Sequence, residues 1–256
     1  YNPYVKGTLP KDLKFIPALV TDNPYLSDEY KDNLERSLDP LQKKRLLYGK
    51  WDYSSSDLDM FAIDDIEAMY RTTLNPIQDL YLTVDVAVDR DDTIAVLWKG
   101  LEIVDIIVAK KTIENHIFIK EIVDKYNIPL RNVVYDASGV GGPLKKSFPS
   151  AKPFFGNGKV VGKVNYNNLR NQCYFKLSEY VADNKITITT LNEKERLKKE
   201  LMVLKRKDIV LNKVEMINKK EVKQLLGNSP DIADSLMMRM VLELKAKGTN
   251  FSVTFV

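Results

Sequence analysis

The chain has 256 residues, 44% of them hydrophobic, which is enough for a globular core of one large domain or one domain with an extension. One cysteine excludes an internal disulfide, one cysteine with one histidine gives no support to a zinc site, and no apolar run approaches membrane-spanning length, a composition that fits a reducing cytoplasm. The net charge of +4 is unevenly placed, because residues 145–223 hold 19 Lys and Arg against 8 Asp and Glu, which leaves 20 against 27 elsewhere. A basic cluster of this kind favours a polyanion such as DNA, or is a set of solvated helix faces.

In chain order, Tyr1-Asn-Pro-Tyr4 carries neither an initiator Met nor a charged-then-apolar leader, so the expectation is a fragment with something missing upstream, and not a secreted protein. Pro3, Pro10, Pro17 and Pro24 space out the first 26 residues, and residues 27–47 then read as a helix with Tyr30, Leu34, Leu38, Leu41 and Leu46 on one face, stopped by Gly49. Residues 1–75 are thus expected to be an arm or linker, ending in a short helix over 61–70, with the main domain at 76–256.

From Leu80 the pattern turns to strands, at 80–87, 93–98 and 103–109, joined by connections short enough to force an antiparallel meander. Thr112 is placed to cap a helix reaching Tyr126, with Ile119, Ile122, Val123 and Tyr126 on one stripe, and a strand at 132–135 follows. A strand, crossover helix, strand unit predicts that this last strand lies parallel in the same sheet. Further expectations are a strand at 152–155, a helix at 167–183 with Leu169, Cys173, Leu177, Tyr180 and Val181 inward and Arg170 and Lys176 elsewhere, a short strand at 186–188, a charged helix at 193–207, and a hairpin of 209–211 with 214–217. A final helix has Ser229 as cap, Pro230 as its first residue, and Ile232, Leu236, Met237, Met240, Val241 and Leu244 as its apolar stripe.

Three stretches carry carboxylates where burial alone disfavours them. Asp85 stands in Leu80-Tyr-Leu-Thr-Val-Asp-Val-Ala87, Asp136 ends Val133-Val-Tyr-Asp136, and Asp231 with Asp234 opens the final helix. A single such Asp can cap a turn or pair with an arginine, and two at a helix start can simply favour its dipole. Parallel strands, however, bring Asp85 and Asp136 out at one carboxyl edge, where two like charges need a cation. Hard carboxylate oxygens suit Mg²⁺ or Mn²⁺. Asp231, in the first turn, is expected to be the direct ligand, and Asp234 a second ligand or a group that orients it. Gly139 and Gly141 have no glycine five places on, so the loop after Asp136 is no phosphate-binding loop and reads as a mobile segment or a plain connection. His116, within a helix and away from the acids, reads as structural.

This order of elements resembles the α/β ribonuclease H-like fold, a mixed five-stranded sheet with three antiparallel strands and then parallel ones, flanked by helices. More narrowly, Asp22-Asn-Pro-Tyr25, Arg45-Leu-Leu-Tyr-Gly-Lys-Trp-Asp52 and Phe61 resemble the linker of tailed-phage terminase large subunits, and Val84-Asp85, Tyr135-Asp136 and Ser229-Pro-Asp-Ile-Ala-Asp-Ser-Leu236 resemble their nuclease motifs. The resemblance implies an endonuclease in the host cytoplasm that cuts concatemeric double-stranded DNA during packaging. It would use two Mg²⁺ or Mn²⁺ ions about 3.5–4 Å apart on Asp85, Asp136, Asp231 and Asp234, with the terminase small subunit and the portal as partners and no membrane. The family's ATPase motifs are absent, so the expectation is a piece that cuts DNA without pumping it. A resolvase or transposase-type nuclease, and a non-catalytic DNA-binding or motor-docking module, are the competing readings.

Overall fold

The computed structural model describes residues 58–71, 78–87, 92–109, 113–138, 144–207 and 213–244, with isolated positions between 12 and 33. The expectations for most of residues 1–57, for the Thr112 cap, for the glycine loop beyond Ser138 and for the strand at 209–211 lie outside these residues.

A mixed sheet organises the rest. β1 (Leu80–Asp85) pairs antiparallel with β2 (Ile94–Lys99), and β2 with β3 (Glu102–Val108), which is the expected meander. The chain then crosses through α1 (Asn115–Tyr126) and returns as β4 (Val133–Asp136), parallel to β1 on its free side. α2 (Leu144–Ser147) leads to β5 (Lys152–Phe154), parallel to β4. β6 (Thr187–Ile188) pairs parallel with the opposite edge, giving the order β5-β4-β1-β2-β3-β6. The sheet therefore has six strands where five were expected. The sixth is β6, the short strand expected at 186–188, which the five-stranded sheet implied by the resemblance did not count.

Alternation along β1 decides what the sheet offers each layer. Leu82 and Val84 enter the core beneath α1 with Phe118, Ile119 and Ile122. Thr83 turns to the other layer, where its hydroxyl accepts the indole N–H of buried Trp98 at 3.0 Å. That second layer holds α3 (Leu169–Ala182), α4 (Lys194–Met202), α5 (Lys219–Leu226) and α6 (Asp231–Arg239). Its core also takes in Phe61, Ile66 and Met69 from the short helix Ile63–Ala68 and its flanks.

α6 is the centre of this layer. It packs on β1, β2, α3 and α4, so every residue from Asp231 to Arg239 is buried and the expected apolar stripe is only one of its buried faces. The helix begins at Asp231, one residue later than expected, and Pro230 at the cap position gives no side-chain bond. The cap comes instead from α4, where the Glu200 carboxylate accepts the Ala233 N–H at 2.9 Å. Two further expectations are corrected. α4 stops at Met202, and Lys205–Lys207 pair with Glu215–Ile217 through bonds of 2.8 and 2.9 Å, so the described strand pairing starts upstream of residue 209. α5 was not expected, although Asn218 and Glu221 form a reciprocal capping box and Gly227, at φ 84°, ends the helix. No helix among the described residues is long and apolar enough to cross a membrane.

Candidate active site

Asp85 and Asp136 are the last residues of neighbouring parallel strands, and the pairing of Val84 with Tyr135 brings the two aspartates to the same level at the carboxyl edge. Tyr135 belongs to the core beneath α1 and Val134 to the core beneath α6, so alternation turns Asp136, like Asp85, toward α6. A cavity of about 460 Å³ opens there, lined by Asp85, Asp136 and Asp234 together with Arg170, Lys207, Lys219 and the amides of Asn157, Asn168 and Asn218. Ser235 fixes the helix to the edge, because its hydroxyl accepts the Asp85 N–H and donates to the Ile94 carbonyl, both at 3.0 Å.

The three carboxylates are held differently. Asp234 is buried and saturated: Oδ1 accepts from Tyr174 at 2.6 Å and from Arg170 Nη2 at 3.0 Å, and Oδ2 faces Lys219 Nζ at 3.0 Å. Burial by itself raises the Asp234 carboxyl, but the Arg170 and Lys219 charges with the Tyr174 bond outweigh it and hold the group below its ordinary range. Asp85 is equally buried, and its carboxylate draws no hydrogen bond or ion pair from the described residues. Burial, then the Asp234 charge, push it well above the ordinary carboxylate range, with Lys219 opposing and Asp136 and Asp231 adding to the rise. Asp136 is more open, with Oδ1 accepting the Ser138 N–H at 2.9 Å.

Asp231 is placed otherwise than the sequence predicts. It does not line the cavity, and its Oδ2 pairs with Arg196 Nη2 at 3.1 Å. The same guanidinium reaches Asp92 and Glu200, each at 3.0 Å. Burial pushes the Glu200 carboxyl up to about 7. Helical side chains lean toward their helix's N-terminus, so Asp234, three residues on, covers the end of α6 that faces the sheet edge, while Asp231 is left to the neighbouring helix.

Arg170, expected to face away, is a principal wall of the site, and Tyr174, Lys219, Ser235, Arg196 and Glu200 had no assigned role in the sequence. Arg170 and Tyr174 lie one turn apart, a spacing that could have marked a second inward face on α3. His116 stays outside the cavity, its Nδ1 at 3.3 Å from Glu114. Lys198, in the basic segment 145–223, meets Glu67 of the short helix at 63–68.

Among the described residues no three His, Cys, Asp or Glu side chains are arranged to hold a metal ion. The donor set nonetheless suits a hard divalent cation: three aspartates and Glu215 line one cavity, and Asp85 is buried without a counter-charge bonded to it. What stands against closure is Asp234, already occupied by two cations.

No protein-family model matches the chain, and neither does any curated protein. Solved structures do. The K428A mutant of the large terminase subunit fragment gp2c from bacteriophage Sf6, with calcium, superposes with a TM-score of 0.63 at 18% identity, over 72% of this chain and 99% of that one. The nuclease domain of the large terminase subunit gp2 of bacterial virus Sf6 gives 0.62 at 19% identity, over 72% and 98%. Its K428A mutant with manganese gives 0.61 at 18% identity, over 72% and 99%. The fold is that of a terminase nuclease domain. In this fold the carboxyl edge bearing Asp85 and Asp136 and the helix bearing Asp234 meet at one cavity.

Proposed function

We propose that the chain is a metal-dependent endonuclease that cuts double-stranded concatemeric viral DNA during genome packaging. The observation that carries this reading is the convergence of Asp85, Asp136 and Asp234 on one cavity that also presents Arg170, Lys207, Lys219, Glu215 and several asparagine amides. Asp85, Asp136 and Asp234 would hold two Mg²⁺ or Mn²⁺ ions, with Asp231 beside them as a further acid whose charge Asp85 feels. When bound, such ions activate water and stabilise the leaving oxygen of the phosphodiester. Lys207 and the asparagine amides bind phosphate oxygens and orient the strand, and Ser235 keeps Asp85 at the edge.

The same reading assigns residues 1–75 to a linker from a packaging ATPase, with the helix at 63–68 docking it on the nuclease body of 76–256. It gives the chain double-stranded DNA, the terminase small subunit and the portal as partners in the host cytoplasm. A non-catalytic DNA-binding or motor-docking module is the alternative, favoured by the ion pairs that occupy Asp234. Plasmid nicking separates the two. The wild-type chain is expected to nick supercoiled DNA with Mn²⁺ and not with a chelator, while Asp85→Asn is inactive and folded by circular dichroism. A wild type inert at every metal concentration, or an Asp85→Asn variant that cuts normally, would overturn the proposal.

A further inference from the structure

The two oxygens of Asp234 are held unequally. Oδ1 accepts the Tyr174 hydroxyl at 2.6 Å and the Arg170 guanidinium through Nη2 at 3.0 Å and Nε at 3.3 Å, whereas Oδ2 meets Lys219 Nζ at 3.0 Å. A carboxylate oxygen has two lone-pair directions, so Oδ1 is full. The partners differ in freedom as well. Tyr174 is fully buried and the Arg170 side chain is 15% exposed, while that of Lys219 is 50% exposed.

Both groups on Oδ1 are fixed before any ligand arrives. They stand one turn apart on α3, with the Arg170 guanidinium 4.8 Å from the centre of the Tyr174 ring and its Nη1 3.9 Å from the Met216 sulfur. The start of α3 is itself tied down. The Asn168 side chain accepts the Asn171 N–H, and the Arg170 and Leu169 N–H groups donate to the Gly156 and Gly158 carbonyls, all at 2.9 Å. Between the clamping residues, the Gln172 amide bonds Val161 in both directions, at 2.8 and 2.9 Å. Among the described residues, neither Asp85 nor Asp136 carries a comparable pair of side chains on one oxygen.

Offsetting a buried charge does not require this aim. A nearby cation does that from many positions, but a hydroxyl and a rigid fork on one oxygen also decide which oxygen is left. That choice bears on cation size. Ca²⁺ gathers about 6–8 oxygens and readily takes both oxygens of one carboxylate, whereas Mg²⁺ demands near-octahedral geometry, keeps several waters and uses few carboxylates. We infer that Arg170 and Tyr174 are positioning residues that leave Oδ2 as the single oxygen Asp234 offers a cation, and that they thereby favour Mg²⁺ over Ca²⁺. The inference rests on the nuclease reading for the presence of a cation.

Metal binding to the DNA-free chain tests it apart from cleavage. Mg²⁺ and Ca²⁺ are each titrated by calorimetry into wild type, Tyr174→Phe and Arg170→Lys, with melting temperatures measured alongside. Tyr174→Phe deletes the hydroxyl and keeps the ring, and Arg170→Lys keeps the charge and deletes the fork. Each is expected to shift the ratio of Mg²⁺ to Ca²⁺ affinity about tenfold toward Ca²⁺, the low end for a group that orients a metal ligand. Lys219 competes with both cations alike, and a loosened helix weakens both, so neither effect moves the ratio. An unchanged ratio in a folded variant, or one shifted toward Mg²⁺, overturns the inference and leaves the nuclease reading intact. A wild type that binds neither cation overturns both.

Discussion

Asp85 and Asp234 face the same cavity from opposite walls, and each is almost wholly excluded from water. On the helix side, Asp234 has a tyrosine, an arginine and a lysine for its two oxygens. On the sheet side, Asp85 has the amide and apolar surroundings of a central strand and two other acids within electrostatic reach. One wall has solved the problem of a buried charge internally, and the other has left it open. The difference teaches that burial of a carboxylate does not by itself set its charge state; what compensates it does.

Asp234→Asn breaks the comparison most severely. It removes the counter-charge of Arg170, whose side chain is 15% exposed, and of Lys219, which is half exposed. The expected loss is about 3 kcal/mol, the low end for a broken buried pair, read as a fall in denaturation midpoint at neutral pH. The sign follows from the lowered carboxyl: its contribution is complete above the ordinary carboxylate range and disappears as pH falls through the depressed value, so wild type and variant should converge in acid.

Arg196→Ala sharpens the comparison from behind. It unties Asp231 and removes the partner of the Glu200 group that caps α6, so the helix bearing Asp234 loses its brace. Calorimetric titration with Mn²⁺ is expected to show affinity about 10–100-fold weaker, with cleavage partly restored at high metal; equal affinity would make this cluster purely structural.

The smallest effect has the opposite sign. Asp85→Asn should raise the melting temperature of the metal-free chain at neutral pH, since the native state holds the ionised group at a penalty. The gain should vanish below the ordinary carboxylate range, where Asp85 is neutral folded or unfolded, and grow as pH climbs toward the raised value. Mn²⁺ should stabilise wild type and leave the variant unmoved. A variant less stable than wild type would mean that Asp85 has a counter-charge already.

Much of this was legible in the sequence. Period-two alternation and short connections gave β1 to β3, the crossover rule put β4 against β1, and the lone acids of Asp85 and Asp136 marked the edge. The cations were not legible, for a physical reason: Arg170 and Lys219 look like any solvated charge until a long-range fold places Asp234 beside them, and their spacings to it, 64 and 15 residues, obey no local period. That Asp234 and not Asp231 lines the cavity was not legible either, because position along the helix axis does not give the backward lean of the side chains.

The bond from the Asp85 amide to the Ser235 hydroxyl joins residues 150 apart. It makes the site a late event in the life of the chain. While residues up to about 230 leave the ribosome, at about 5–20 residues per second, the sheet edge can form, but α6, with Asp234 and the Ser235 hydroxyl, is still missing. Asp85 and Asp136 then face each other without Asp234, and Arg170 and Lys219 without their carboxylate. The cavity is thus completed in one step, when α6 docks on the sheet edge.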